Sequence, residues 1–141
     1  MVLLDTNVVS EMIKPTADPA VDRWLARQLE ANVFLCAVTE AELRFGVAIL
    51  PDGRRRDALA KVIEGIVGED FIGRILPFDS RAAIAYATVS AARRRAGRPI
   101  STADAQIAAL ARSHGATLAT RNLRDFEGCG VEIINPWDEP A

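Results

Sequence analysis

The chain opens "MVLLDTN", residues 1–7, an apolar run that meets Asp5, Thr6 and Asn7 without a break. An apolar run this short, bounded by polar residues, reads as a buried β-strand over Val2–Leu4. "VFLCAV", Val33–Val38, is a second continuous apolar strand. Further short strands are expected within Arg74–Pro77, over Thr117–Ala119 and over Val131–Ile134. Helical patterns lie between them. Asp18–Leu29 has Pro19 in its first turn and Val21, Trp24, Leu25 and Leu29 on one face. Thr39–Leu50 is stopped by Pro51, and Arg54–Val67 by Gly68. Ser80–Ala96 is closed by Gly97 and Thr102–Ser113 by Gly115. Strands alternating with helices predict an α/β fold, a three-layer α/β/α sandwich around a mostly parallel sheet of about five short strands. In such sheets ligands sit outside the carboxyl ends of the strands, and Asp5 is at such an end.

The 141 residues suit one domain, 1–141, long enough to bury roughly 68–70% of the surface the unfolded chain exposes. A net charge of −2 announces no nucleic-acid binder by bulk electrostatics. The basic residues are clustered, however. Arg54-Arg55-Arg56, and Arg93-Arg94-Arg95 with Arg98, read either as solvated helix faces or as phosphate contacts. Cys36 and Cys129 lie far apart in or near apolar runs and read as buried free thiols, which suits a reducing cytosol. The N-terminus has no basic leader region, and no apolar run approaches the ~20 residues of a membrane helix, so a cytoplasmic protein with no membrane contact is expected. The one histidine, His114, sits late in a helix where a cation complements the dipole, which argues against Ser-His or Cys-His nucleophilic chemistry.

Carboxylates and amides recur just beyond strand ends or in first helical turns: Asp5, Glu42 in "TEAEL", Asp104 in "STADAQIAAL", and Asn122 and Asp125 in "TRNLRDF". Each has an ordinary structural use. Thr39-x-x-Glu42 and Ser101-x-x-Asp104 fit capping boxes, Asp125 a turn, and Asp5 an Asx-turn. Taken together they point to a shared site. Like charges 4 Å apart at an effective dielectric near 20 repel by roughly 4 kcal/mol, so three converging acids need protons or a cation. An oxygen-only set suits Mg²⁺ or Mn²⁺ rather than zinc.

"LLDTNVVSE", "AVTEAELRFGV", "ISTADAQIAA", "LATRNLRDF" and "INPW" together resemble the PIN domain, and in particular the VapC/FitB branch of type II toxin–antitoxin ribonucleases. The likeness runs through nearly the whole chain. It implies a Mg²⁺-dependent endoribonuclease, with Mn²⁺ as a substitute, whose acidic metal-binding core is Asp5, Glu42 and Asp104. Thr6 and Thr120 match hydroxyl positions lining the family's pocket. It also implies a homodimer silenced by a small DNA-binding antitoxin, and higher assemblies with that antitoxin. Many relatives carry a fourth acid directly after "TR"; this chain has Asn122 there, with Asp125 three residues on. That departure weakens a second metal more than the first.

The expected mechanism has Asp5 and Asp104 on the metal and Glu42 completing the shell or orienting the attacking water, with RNA phosphodiesters as substrate. Arg44 and Arg121 are the candidates for steering phosphate. Two other readings stand beside it. A phosphohydrolase with Asp5 as nucleophile usually wants a second Asp two residues on, where this chain has Asn7. A non-catalytic nucleic-acid- or partner-binding domain has no need of the acidic set.

Overall fold

The computed structural model describes residues 1–141. Five strands, β1 (Val2–Leu4), β2 (Val33–Cys36), β3 (Ile75–Leu76), β4 (Thr117–Ala119) and β5 (Ile133–Ile134), form a sheet in the order β3-β2-β1-β4-β5. Every neighbouring pair is parallel, with Val2 of β1 beside Val33 on one side and Thr117 on the other. Six helices fill the connections: α1 (Thr6–Met12), α2 (Pro19–Ala26), α3 (Ala37–Ala48), α4 (Arg54–Gly65), α5 (Ser80–Arg95) and α6 (Thr102–His114).

The period-two alternation of strand side chains divides the core into two halves. Leu3, Cys36 and Leu118 point to one face, where they meet Ala82 and Val89 of α5 and Ile107, Ala108 and Leu110 of α6. Leu4, Leu35 and Ala119 point to the other, where Val8, Val9, Val21, Trp24, Leu43 and Ile63 from α1–α4 cover them. This is the expected three-layer α/β/α arrangement, with the parallel sheet buried on both faces. Gly115 closes α6 in the left-handed region at φ 62°, a conformation that glycine adopts without a Cβ penalty. Both cysteines are free and buried. No helix is long and apolar enough to cross a membrane.

The elements depart from the pattern in five places, the smallest being β5, which covers Ile133–Ile134 and not Val131–Ile134. Helix α1 lies in a segment where no helix was expected, and it buries Val8, Val9 and Glu11. Helix α2 ends at Ala26, so Leu29 falls outside it and is 72% exposed, while Trp24 is core. Helix α3 begins immediately after β2, two residues before Thr39, so Val38 is helical and Thr39 is an interior residue rather than a cap. Helix α4 does not stop at Gly68. It passes into a wider π-type turn, Ile66–Asp70, that brings Ile66 and Phe71 into the core.

Candidate active site

Asp5 stands where β1 gives way to α1 and is the cap of that helix, its Oδ1 accepting the Thr6 N–H at 2.8 Å. Its backbone N–H donates to the Ala119 carbonyl at 2.9 Å, which fixes it against the end of β4. Its Oδ2 accepts from the Thr120 hydroxyl at 2.7 Å and from the Asn7 amide at 3.3 Å. The carboxylate is 4% exposed. Burial pushes its pKa from 3.8 up to about 6, against the pull of the Thr120 and Thr6 bonds, and the nearby charges of Asp104 and Glu42 push the same way.

Glu42 lies on the first turns of α3. Its Oε1 accepts from the Thr6 hydroxyl at 2.8 Å, and Thr6 Oγ1 also lies 3.2 Å from the Thr39 hydroxyl. Asp104 sits in the first turn of α6, where Ser101 Oγ accepts its backbone N–H at 3.2 Å. Its pKa is raised by burial first, then by Asp125 and Glu42, with the Ser101 hydroxyl pulling it back. Asp5, Glu42 and Asp104 line one open cleft of ≈ 430 Å³ at the carboxyl edge of the sheet. Residues 37, 62 and 99 positions apart from one another in the chain are thus brought to the place where β1 meets β2 on one side and β4 on the other.

Thr6, Asn7, Arg121 and Asn122 line the same cleft. Thr120 lies beneath it, fully buried, its hydroxyl donating to Asp5 and accepting from Asn7 Nδ2 and the Asn122 N–H, each at 3.1 Å. Asp125 does not line the cleft; it is exposed in the turn after β4 and acts on the site only through its charge on Asp104. Arg44 is not brought there either. It pairs with Glu40 at 2.8 Å and with Glu64 of α4, so it faces α4 rather than the sheet edge. Arg93, grouped by sequence with two exposed arginines, is buried and bonded to backbone carbonyls. Four lining residues were not among the expected site residues: Ser10 and Glu11, although they end the segment "LLDTNVVSE", Trp137, which ends "INPW", and Lys14. Three of these depend on α1, and the i,i+3 spacing of Glu11 and Lys14 was the available clue.

The donor chemistry fits a hard divalent cation. The acids lining the cleft bring oxygen only, and Asp5 is a buried carboxylate with neutral partners and no basic group to balance it. The donors are not drawn into a closed cage, since no three acidic, histidine or cysteine side chains stand together as a ready ion site. Glu42 is turned to the Thr6 hydroxyl. An ion that keeps several waters and takes few direct carboxylates suits such an open set.

Comparison with known proteins agrees with this geometry. Residues 2–128 match the PIN domain family model. The chain is 46% identical over 141 residues to the VapC ribonuclease Y4jK of Sinorhizobium fredii, covering 100% of both. It is 41% identical over 139 residues to Toxin FitB of Neisseria gonorrhoeae, covering 99% of this chain and 100% of that one. Among solved structures, that of FitAB bound to an IR36 DNA fragment superposes with a TM-score of 0.92 at 40% identity, over 100% of this chain and 99% of that one. The chain belongs to the PIN-domain family, in its VapC/FitB branch of toxin ribonucleases.

Proposed function

We propose that this chain is a Mg²⁺-dependent endoribonuclease, with Mn²⁺ as a working substitute, and the toxin of a type II toxin–antitoxin pair. The observation that carries this reading is the meeting of Asp5, Glu42 and Asp104 in one cleft at the carboxyl edge of a parallel sheet. Asp5 and Asp104 hold the cation. When bound, it lowers the pKa of water in its shell and offsets charge developing on the phosphate oxygens. Glu42, on the exposed wall of the cleft, turns from Thr6 to take the proton of the attacking water. Thr120 and the Thr6 N–H keep the Asp5 carboxylate aimed, and Asn7 supports it from the side. Arg121 steers the phosphate backbone of the substrate into the cleft. Asn7 donates an amide hydrogen where a phosphohydrolase would need its second carboxylate, so that alternative lacks its acid.

The partner is a small DNA-binding antitoxin, a reading supported by a toxin relative at 41% identity and by the FitAB complex on DNA. The toxin acts in the cytoplasm on RNA, as one domain. It forms a homodimer through α3, where Phe45 and Ile49 are each 65% exposed one helical turn apart.

The test is cleavage of a mixed-sequence RNA by purified protein. Cleavage is expected with Mg²⁺ or Mn²⁺ and to vanish in EDTA. Asp104→Asn is expected to lower kcat by about 10²-fold or more. Cleavage that persists undiminished in EDTA, or in Asp104→Asn, overturns the assignment.

A further inference from the structure

The cleft is electrically lopsided. Three of its four acids, Asp5, Glu42 and Asp104, gather along the sheet edge, while Lys14, with Glu11 bonded to it, and Arg121 line the same hollow on the side of α1 and the C-terminal tail. A chain with net charge −2 has no bulk field to draw in a polyanion, so the cations inside the cleft decide where RNA lies.

Arg121 differs from the five ion-paired arginines of this molecule. Arg27, Arg44, Arg56, Arg74 and Arg98 all spend their guanidinium on a carboxylate. Arg121 makes no ion pair and its guanidinium no hydrogen bond; only its backbone is bonded, the N–H to Asn7 Oδ1 at 3.3 Å and the carbonyl to the Leu123 N–H at 3.1 Å. It is nevertheless held in place, because its guanidinium carbon lies over the Trp137 ring, 5.0 Å from the centroid. The ring is itself anchored. Trp137 packs against the core beside α2, its backbone N–H donates to Asn135 Oδ1 at 3.0 Å, and Pro136 before it is buried. An aromatic face restrains the cation without using any of its five N–H donors.

Lys14 is restrained in a second way. Its Nζ donates to Glu11 Oε1 at 3.0 Å, while Glu11 is 6% exposed and also accepts the Asp18 N–H at 3.1 Å. Two of the three ammonium donors remain unspent.

We propose that Lys14 and Arg121 bind two backbone phosphates of the RNA strand on one side of the one being cut, and that Trp137 is a positioning residue that acts through Arg121. This rests on the ribonuclease reading given above. It assigns the strand a direction across the cleft, from the acidic edge to the tryptophan.

The test is binding of a short single-stranded oligoribonucleotide, followed by fluorescence anisotropy in EDTA at several salt concentrations. Each lost phosphate contact takes about 0.7 from the slope of log K against log salt on a single strand. Arg121→Gln is expected to weaken binding about tenfold and to lower the slope by about 0.7. Trp137→Leu, which keeps apolar bulk but removes the π face, is expected to reproduce that loss, and the double variant to bind no worse than Arg121→Gln alone. Lys14→Gln is expected to remove a further 0.7 additively, and Trp137→Phe to restore most of the parent slope. A parental slope in Trp137→Leu, or full addition of its penalty to that of Arg121→Gln, overturns the positioning role. If Trp137→Leu does not fold, the comparison of Trp137→Phe with Arg121→Gln decides, since a Phe slope as low as that of Arg121→Gln also overturns it. RNA cleavage by the parent is followed alongside. Cleavage with unmoved slopes sinks this inference alone, whereas a parent that neither binds nor cuts RNA sinks both readings.

Discussion

Replacing Asp5 with asparagine is expected to reduce RNA cleavage by on the order of 10³-fold while making the cation-free protein harder to unfold at pH 7. The two effects share one cause. Asp5 is buried, with its pKa raised to about 6 mainly by that burial. At pH 7 it is ionised in both native and unfolded chains, and the native state bears the cost. A shift of about two units corresponds to about 3 kcal/mol. The sign is that of a raised carboxylate. The native state binds this proton more tightly than the unfolded one, so stability is greatest below the ordinary value near 4. It declines as pH rises through about 6, and the full cost is present above that. Asp104, shifted in the same direction, steepens the same slope. Asparagine at position 5 retains an oxygen for the Thr6 N–H, but its NH2 cannot accept from the Thr120 hydroxyl, whose oxygen already accepts from Asn7 and Asn122, nor from the Asn7 amide, so two bonds are lost at about 1 kcal/mol each. The net expectation is a gain of about 1 kcal/mol at pH 7 that disappears toward pH 4. Thermal melts in EDTA across pH 4–7 measure it. A variant less stable than the parent at pH 7, or a parent whose stability does not fall between pH 4 and pH 7, contradicts the expectation. A residue whose removal stabilises the fold and stops the reaction is one retained for its chemistry.

Those parts of the site that follow from strand ends could be read in the sequence. Asp5, Glu42 and Asp104 each lie within a few residues of a strand end or in a first helical turn, and a parallel sheet puts those positions on one edge. What failed depended on local competition or on distant packing. "TNVVSEM" forms α1 although two adjacent valines and flanking Thr and Asn favour helix weakly. Burial of Val8 and Val9 against the sheet overrides that preference, and with α1 come Ser10, Glu11 and Lys14 on the cleft. Thr39-x-x-Glu42 has the form of a capping box, but the chain turns helical at Ala37, directly off β2, so Thr39 packs inward beside Cys36. Of the two arginines offered to phosphate, Arg44 finds Glu40 and Glu64, whereas Arg121 finds only a ring contributed by the tail. No periodicity encodes the meeting of residues 121 and 137 across the end of the sheet.

Arg93→Ala is expected to cost about 3–5 kcal/mol, a large share of the stability of an ordinary domain, although its neighbours Arg94 and Arg95 should tolerate the same change within about 0.5 kcal/mol. All three look alike in the sequence, as consecutive arginines in the last turn of α5. Only Arg93 turns inward, where it is 6% exposed. No carboxylate meets it. Its Nε–H donates to the Arg98 carbonyl at 2.7 Å, and Nη1 donates to the carbonyls of Asp125 at 2.6 Å and Glu127 at 3.0 Å, with Cys129 Sγ at 3.6 Å. The fork therefore ties the end of α5 to the turn that follows β4 and carries Phe126, which is 1% exposed. Alanine strands three carbonyls that the guanidinium had satisfied and leaves a cavity beside Cys129. Lysine keeps the charge but presents a single ammonium that cannot span carbonyls on both segments, so Arg93→Lys should recover no more than about half of the loss. Urea unfolding of the three alanine variants and Arg93→Lys provides the comparison, with equal midpoints for Arg93→Ala and Arg94→Ala as the result that defeats it. Because Asn122 enters the cleft from the same turn, and the Arg93 charge acts on Asp104, the lysine variant should also cleave RNA more slowly at temperatures where it remains folded. A stability loss with cleavage unchanged would confine Arg93 to holding the fold.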